Sequence, residues 1–230
     1  MSSQDELKKK AAFSAVEFVE SDMVVGLGTG STTRFALLRI ADRVQAGELK
    51  NIVGIPSSVQ TEKLARELGI PLVSLADQAQ IDLTIDGADE VDPDLNLIKG
   101  GGGALLREKV LAQASRKNII IVDSSKLSPQ LGTCWSLPIE VIPFALKTEE
   151  IFLNNLNASV TVRICDDGNW FRTDQNNLIL DANFGPIADP KKLAEQLNQR
   201  AGIVEHGLFL ELATDVIVAA QEGIRHLKRK

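Results

Sequence analysis

The chain has 230 residues, 44% of them apolar, enough to bury a sizeable core in one generous domain or two small ones. Aromatic residues make up 4%, with no tyrosine, and the formal net charge is −6. That balance excludes an aromatic stacking platform and a basic footprint for nucleic acid, yet it leaves room for a local site that takes a small anion.

In chain order, Ser3-Gln4-Asp5-Glu6 has the form of a capping box, and Leu7, Ala11, Ala15 and Phe18 follow at near-helical spacing. The opening MSSQDELKKKAAF lacks the apolar stretch of a signal peptide, and no run approaches the ~18 apolar residues of a membrane span. A soluble, cytoplasmic protein is expected. Met23–Leu27 reads as a buried strand that ends in Gly28-Thr29-Gly30-Ser31-Thr32-Thr33, before a helix carrying Phe35, Leu38 and Val44. Asn51–Ile55 is a second strand. Ser58 caps a helix through Leu68, which Gly69 ends. Further strands are expected at Pro71–Leu75, Ile81–Ile85 and Asn118–Val122, with a helix over Ala104–Ala114. This alternation predicts a parallel sheet covered by helices.

Beyond about Gly132 the pattern changes. Strands at Leu137–Val141, Ser159–Ile164, Asn177–Leu180 and Ile203-Val204 alternate with helices at Glu149–Leu156 and from Asp189-Pro190 to Arg200. The order β-α-β-β-α-β predicts a ferredoxin-like split unit. The tail is expected to hold a strand at Val216–Ala219 and then a helix, rejoining the first sheet. The expected domains are therefore 1–131 with 206–230, and 132–205. Cys134 and Cys165 form no CxxC pair and are expected as buried free thiols.

Three clusters carry chemistry. Gly26-Leu27-Gly28-Thr29-Gly30-Ser31-Thr32 joins a strand to a helix N-terminus, where free N–H groups, the helix dipole and hydroxyls suit phosphate. It is neither a Walker loop nor a good dinucleotide fingerprint, and a plain strand–helix turn is the alternative. Asp86-Gly87-Ala88-Asp89-Glu90-Val91-Asp92 follows a strand end, where open α/β sheets bind ligands. Its acids fit sugar hydroxyls, a solvated turn or a Mg²⁺ site. In Lys99-Gly100-Gly101-Gly102-Gly103, four glycines let backbone lie against a ligand, and Lys99 can neutralise an oxyanion. Glu108, in the helix that follows, either faces a cleft as a general base or lies on a solvated helix face.

Together the stretches GLGTGST at 26–32, IDGADEVD at 85–92, KGGGGALLREK at 99–109 and VDSSK at 122–126 resemble the type A ribose-5-phosphate isomerases. The likeness runs over nearly the whole chain. It implies an α/β fold, a Rossmann-like parallel-sheet domain with a smaller ferredoxin-like α+β domain. It implies interconversion of ribose 5-phosphate and ribulose 5-phosphate in the pentose phosphate pathway, with no cofactor and no metal, by a homodimer or homotetramer. It implies substrate contacts from Thr29, Gly30, Ser31, Thr32, Asp86, Gly87, Ala88, Asp89, Lys99, Gly100, Gly101, Gly102 and Lys126, with Lys8 as an added phosphate contact. Glu108 would be the base, Lys99 the oxyanion's partner, and Asp86 and Asp89 aids to ring opening. Gly103 stands where the family more often has Ala, and is expected only to loosen the loop. A sugar-phosphate deaminase fits less well, since only His206 and His226 are available for ring opening. A sugar-phosphate sensor would need no base at Glu108 and would usually carry a DNA-binding module, of which the short helical opening before the first strand gives no sign.

Overall fold

The computed structural model describes residues 3–229, with Ser3 as backbone only, so the capping contact expected of its side chain lies outside the described residues. The elements are α1 (Ser3–Val16), β1 (Val24–Leu27), α2 (Ser31–Gln45), β2 (Val53–Pro56), α3 (Val59–Glu67), β3 (Ile81–Asp86), β4 (Glu90–Val91), β5 (Leu97–Ile98), α4 (Leu105–Ala114) and β6 (Ser115–Asp123). There follow β7 (Leu137–Val141), α5 (Leu146–Asn155), β8 (Ser159–Val162), β9 (Leu178–Asn183), α6 (Pro190–Asn198), β10 (Ile203–His206), β11 (Leu208–Phe209), β12 (Asp215–Ala220) and β13 (Gly223–Lys228).

The chain forms two compact units. One comprises the residues up to Ala88, Arg107–Lys126 and those from Glu211; the other comprises Asp89–Leu106 and Leu127–Leu210. This differs from the expected division, because 89–106, 127–131 and 206–210 group with the second unit. The cause is a small antiparallel sheet of order β11-β5-β4, extended by a bridge from Val91 to Leu127. Two-residue strands carry no readable periodicity, and the sequence gives no sign of them.

The first unit holds a six-stranded sheet of order β13-β12-β6-β3-β1-β2, parallel throughout except for β13. On α2 the buried residues Thr33, Ala36, Leu37, Ile40 and Ala41 recur at the i, i+3, i+4, i+7, i+8 spacing of one helix face. The four apolar ones share a core with Ala11, Ala12, Ala15 and Val16 of α1 and with sheet residues such as Ile119, Ile121 and Ile217. Ser58 caps α3 as expected, accepting a hydrogen bond from Thr61 N at 3.0 Å.

Two expectations in this unit fail. Pro71–Leu75 is not a strand: Leu72 makes a single bridge to Gly54, and a Ser74–Asp77 turn with a 2.6 Å side-chain bond then ends the pairing. The tail helix is β13. A tight Gln221-Glu222 turn, with Gly223 at φ +139°, folds it antiparallel onto β12. Ile224 and Leu227 mimic helical spacing, but pairing with buried β12 overrides that local signal.

The hairpin is fastened by Asp215, whose Oδ1 lies 2.6 Å from His226 Nε2. Burial pushes this carboxyl up, but hydrogen bonds from Thr214 and His226 and the charge of Lys117 outweigh it and hold it below its usual 3.8. An acid with a lowered folded value contributes stability that is full above the unfolded value and fades as pH falls through the folded one. In urea unfolding across a pH series, the advantage of wild type over Asp215→Asn is expected to be full above pH 3.8 and to close below it. A gap that stays constant into acid would contradict the assignment.

The second unit carries a four-stranded antiparallel sheet of order β10-β7-β9-β8, with α5 and α6 joining its strands in β-α-β-β-α-β order. This is the expected ferredoxin-like arrangement. Ile139, Val141, Leu178 and Leu180 meet Leu153 of α5 and Leu197 of α6 in its core. The helix expected at Glu149–Leu156 begins earlier, at Leu146. Cys134 and Cys165 are free but exposed, not buried. Among the described residues no helix is long and apolar enough to cross a membrane.

Candidate active site

In the first unit the chain runs from β1 to β2 on one side and then to β3 on the other, so the carboxyl ends of β1 and β3 flank a switch point where α/β sheets hold ligands. Gly28-Thr29-Gly30 leaves β1, and α2 starts at Ser31 with Gly30 as its cap, offering no side-chain hydrogen bond. The first amides of α2 therefore lack an intrahelical acceptor. Lys8 of α1 donates to Ser31 Oγ at 3.0 Å, which adds positive charge at this helix start. Thr32 is half-buried beside it.

Thr29 is used differently. Its hydroxyl donates to Ser58 Oγ at 2.8 Å and lies 2.7 Å from Ser57 Oγ and 3.0 Å from Thr61 Oγ1. Its amide donates to Asp86 Oδ1 at 3.2 Å. Thr29 thus pins the loop to the sheet. Asp86, 2% exposed at the end of β3, also accepts from Gly87 N at 2.8 Å, so the carboxylate is braced by backbone. Gly87 and Ala88 follow, half-buried.

Lys126 ends a short turn after β6. Near it, burial raises the Asp123 carboxyl, but hydrogen bonds from the Ser125 hydroxyl and amide, Gln4 and the Lys126 charge outweigh that and leave it below its usual value. Gln4 and Lys8 stand one helical turn apart on α1, so the face that reaches Asp123 also reaches Ser31. Glu108 lies in the first turn of α4 and is 5% exposed, which removes the solvated-face reading. Lys109 is buried to the same degree.

The other predicted residues lie in the second unit. Asp89 Oδ2 accepts from Gly101 N at 2.7 Å. A Cβ on Gly101 would lie 2.7 Å from that carboxylate, so the close approach requires glycine. Lys99 is 3% exposed, its ammonium 5.5 Å from the centre of the Phe209 ring and its amide bonded to Gly207 O. Buried Gly100 and half-buried Gly101 lead to exposed Gly102. Gly103 does more than loosen the loop: it stands at φ +80°, and a Cβ there would meet Phe171 at 2.4 Å.

The acidic run divides by role. Glu90 is fully buried and accepts from the amides of Gly132 (2.9 Å), Thr133 (3.1 Å) and Cys134 (3.1 Å). Asp92 closes the turn between β4 and β5 through Asn96. Both acids hold the fold, so the solvated turn does not describe them; among the described residues no three His, Cys, Asp or Glu side chains gather as a metal set. A residue that sequence reasoning misses is Arg163, hydrogen-bonded to the glycine loop at 2.8 and 2.9 Å from across the second unit; nothing in its spacing from residue 100 signals this.

The model of the family ribose 5-phosphate isomerase A (phosphoriboisomerase A) matches residues 53–223. The chain is 63% identical over 228 residues to ribose-5-phosphate isomerase A of Desulfatibacillum aliphaticivorans, covering 99% of each. It is similar to the solved ribose 5-phosphate isomerase of Plasmodium falciparum, with a TM-score of 0.95, 40% identity, and coverage of 98% of this chain and 99% of that one. A solved D-ribose-5-phosphate isomerase in complex with phospho-erythronic acid gives a TM-score of 0.96 at 42% identity, covering 99% and 100%.

Proposed function

The chain belongs to the ribose-5-phosphate isomerase A family, which interconverts ribose 5-phosphate and ribulose 5-phosphate, and from that premise we propose how its residues divide the work. Aldose and ketose share one cis-enediolate. After ring opening, Glu108 takes the proton from C2 and returns it to C1. Lys99 and the amides of the Gly100–Gly102 loop stabilise the negative oxygen. Asp86 and Asp89, each braced by a backbone amide, hold hydroxyls and assist proton movement as the ring opens. The phosphate sits at the start of α2 on Gly30, Ser31 and Thr32, with Lys8 and Lys126 as counter-charges; its binding energy orients the reacting carbons.

The observation that carries the phosphate assignment is the Lys8 ammonium on Ser31 Oγ at a helix start with no side-chain cap. Gly87 and Ala88 line the same substrate. The reaction needs no metal or cofactor and serves the non-oxidative branch of the pentose phosphate pathway, in the cytoplasm, with the chain as a homodimer or homotetramer.

The direct test is incubation of the protein with ribose 5-phosphate in EDTA-containing buffer, followed as ketose. Ribulose 5-phosphate is expected to form, and unphosphorylated ribose to be a very poor substrate. Absence of ketose, or ketose only after Mg²⁺ is restored, would overturn the reading. Replacing both Ser31 and Thr32 by Ala is expected to lower kcat/KM for ribose 5-phosphate about 30-fold, which is about 2 kcal/mol, the worth of a hydrogen bond to a charged group. An unchanged kcat/KM would move the phosphate elsewhere.

A further inference from the structure

Within the second unit the glycine loop is steered by one guanidinium. Arg163, just beyond β8, donates through Nη1 to Gly100 O at 2.8 Å and to Gly101 O at 2.9 Å. Its Nε donates to Asp181 Oδ2 at 2.9 Å and its Nη2 to Asp181 Oδ1, a two-point pair with β9 that fixes the plane of the group. The Phe171 ring, which also borders Gly103, lies 5.9 Å from the guanidinium carbon. The arginine side chain is 14% exposed.

In a trans peptide the C=O and N–H point in opposite directions. Fixing Gly100 C=O on Arg163 therefore turns the Gly101 N–H away from the guanidinium, where it meets Asp89 Oδ2 at 2.7 Å. Fixing Gly101 C=O turns the Gly102 N–H away from Arg163 in the same manner. Glycines have no side chains to enforce such an orientation, and their backbone freedom is large.

We propose that Arg163, held by Asp181, is a positioning residue for the isomerisation: it orients two successive peptides of the glycine loop so that the Gly101 amide braces Asp89 and the Gly102 amide is presented to the enediolate oxygen. The proposal rests on the reading of this loop as the oxyanion's partner. It assigns Arg163 no contact with substrate, and its effect belongs in kcat more than in KM, because the oxyanion exists only after proton removal.

The test uses Arg163→Lys and Arg163→Ala, assayed with ribose 5-phosphate, together with hydrogen–deuterium exchange of the peptide spanning 99–104. A lysine is a point charge and cannot span two carbonyls and a carboxylate at once. Both variants are expected to lose about 10²-fold in kcat, the scale of a small misplacement of a catalytic group, with KM little changed. Loop amides are expected to exchange faster, and low, non-denaturing guanidinium is expected to restore part of the activity of Arg163→Ala. If Arg163→Ala does not fold, Arg163→Lys carries the kcat and exchange arms. Wild-type kcat in Arg163→Lys, a loss confined to KM, or unaltered exchange across 99–104 would each overturn the proposal. Wild-type protein inactive on ribose 5-phosphate would defeat the reaction assignment instead, while the exchange arm still reports whether Arg163 holds the loop.

Discussion

Glu108→Gln is expected to fold and bind ribose 5-phosphate, yet to lose turnover by about 10²–10⁴-fold, the range for a positioned general base. Gln keeps the size of Glu at a site that is 5% exposed, so packing is preserved, but it accepts no proton at neutral pH. Exchange of the substrate C2 proton with deuterated solvent is expected to disappear along with turnover, because the proposed mechanism assigns both transfers to one carboxylate. The choice of control follows from burial. From helical spacing alone, Arg107 and Lys109 both point away from Glu108 and would serve equally. Lys109 is as buried as Glu108, so its replacement perturbs the interior, and half-buried Arg107→Gln is the better comparison. Near-normal isomerisation by Glu108→Gln would pass the base role to Asp86 or Asp89.

Glu90→Gln is expected to do the converse. It should destabilise the protein by about 3 kcal/mol while leaving kcat per folded molecule near wild type. Glu90 accepts three backbone amides in a fully buried position, and Gln would turn an NH₂ donor toward at least one of them. Urea unfolding reports the stability, and active-site-normalised turnover reports the chemistry. Unchanged stability, or a loss of kcat in a protein of normal stability, would return Glu90 to the acids that hold sugar hydroxyls. Asp86→Asn provides the contrast, since its carboxylate stands at the switch point and its loss falls on turnover.

These two acids lie in one run of sequence, and their separation shows what patterning conveys. Residue type and spacing place Asp86 at a strand end, because an apolar strand followed by Asp-Gly has few other readings. They do not reveal that Glu90, four residues on, reaches amides at 132–134, because that contact depends on a short sheet with no periodicity of its own. The same limit explains Arg163, whose partners at 100, 101 and 181 come together only through tertiary pairing. The proposed phosphate loop is legible because its parts are local: glycine, hydroxyls and a helix start within seven residues. Even there, locality leaves out Ser57, Ser58 and Thr61, which occupy the Thr29 hydroxyl and so divide Thr29 in role from Ser31. Long alternating elements in both units follow the sequence pattern, whereas the tail departs from it where cross-strand pairing outweighs local periodicity.

The tail hairpin has a consequence for solubility. Val216–Ala220 of β12 is an apolar run, 0–2% exposed, paired on one side with β6. Bare on its other side, such a strand is a template for intermolecular pairing. β13 occupies that side and presents Arg225, His226 and Lys228 along its own length. Charge on an outermost strand discourages a further chain from adding to the sheet. Removing the residues after Ala220 would therefore expose a sticky edge as well as losing six paired residues, and aggregation would precede any loss of the loop after β1, three strands beyond β12 in the sheet.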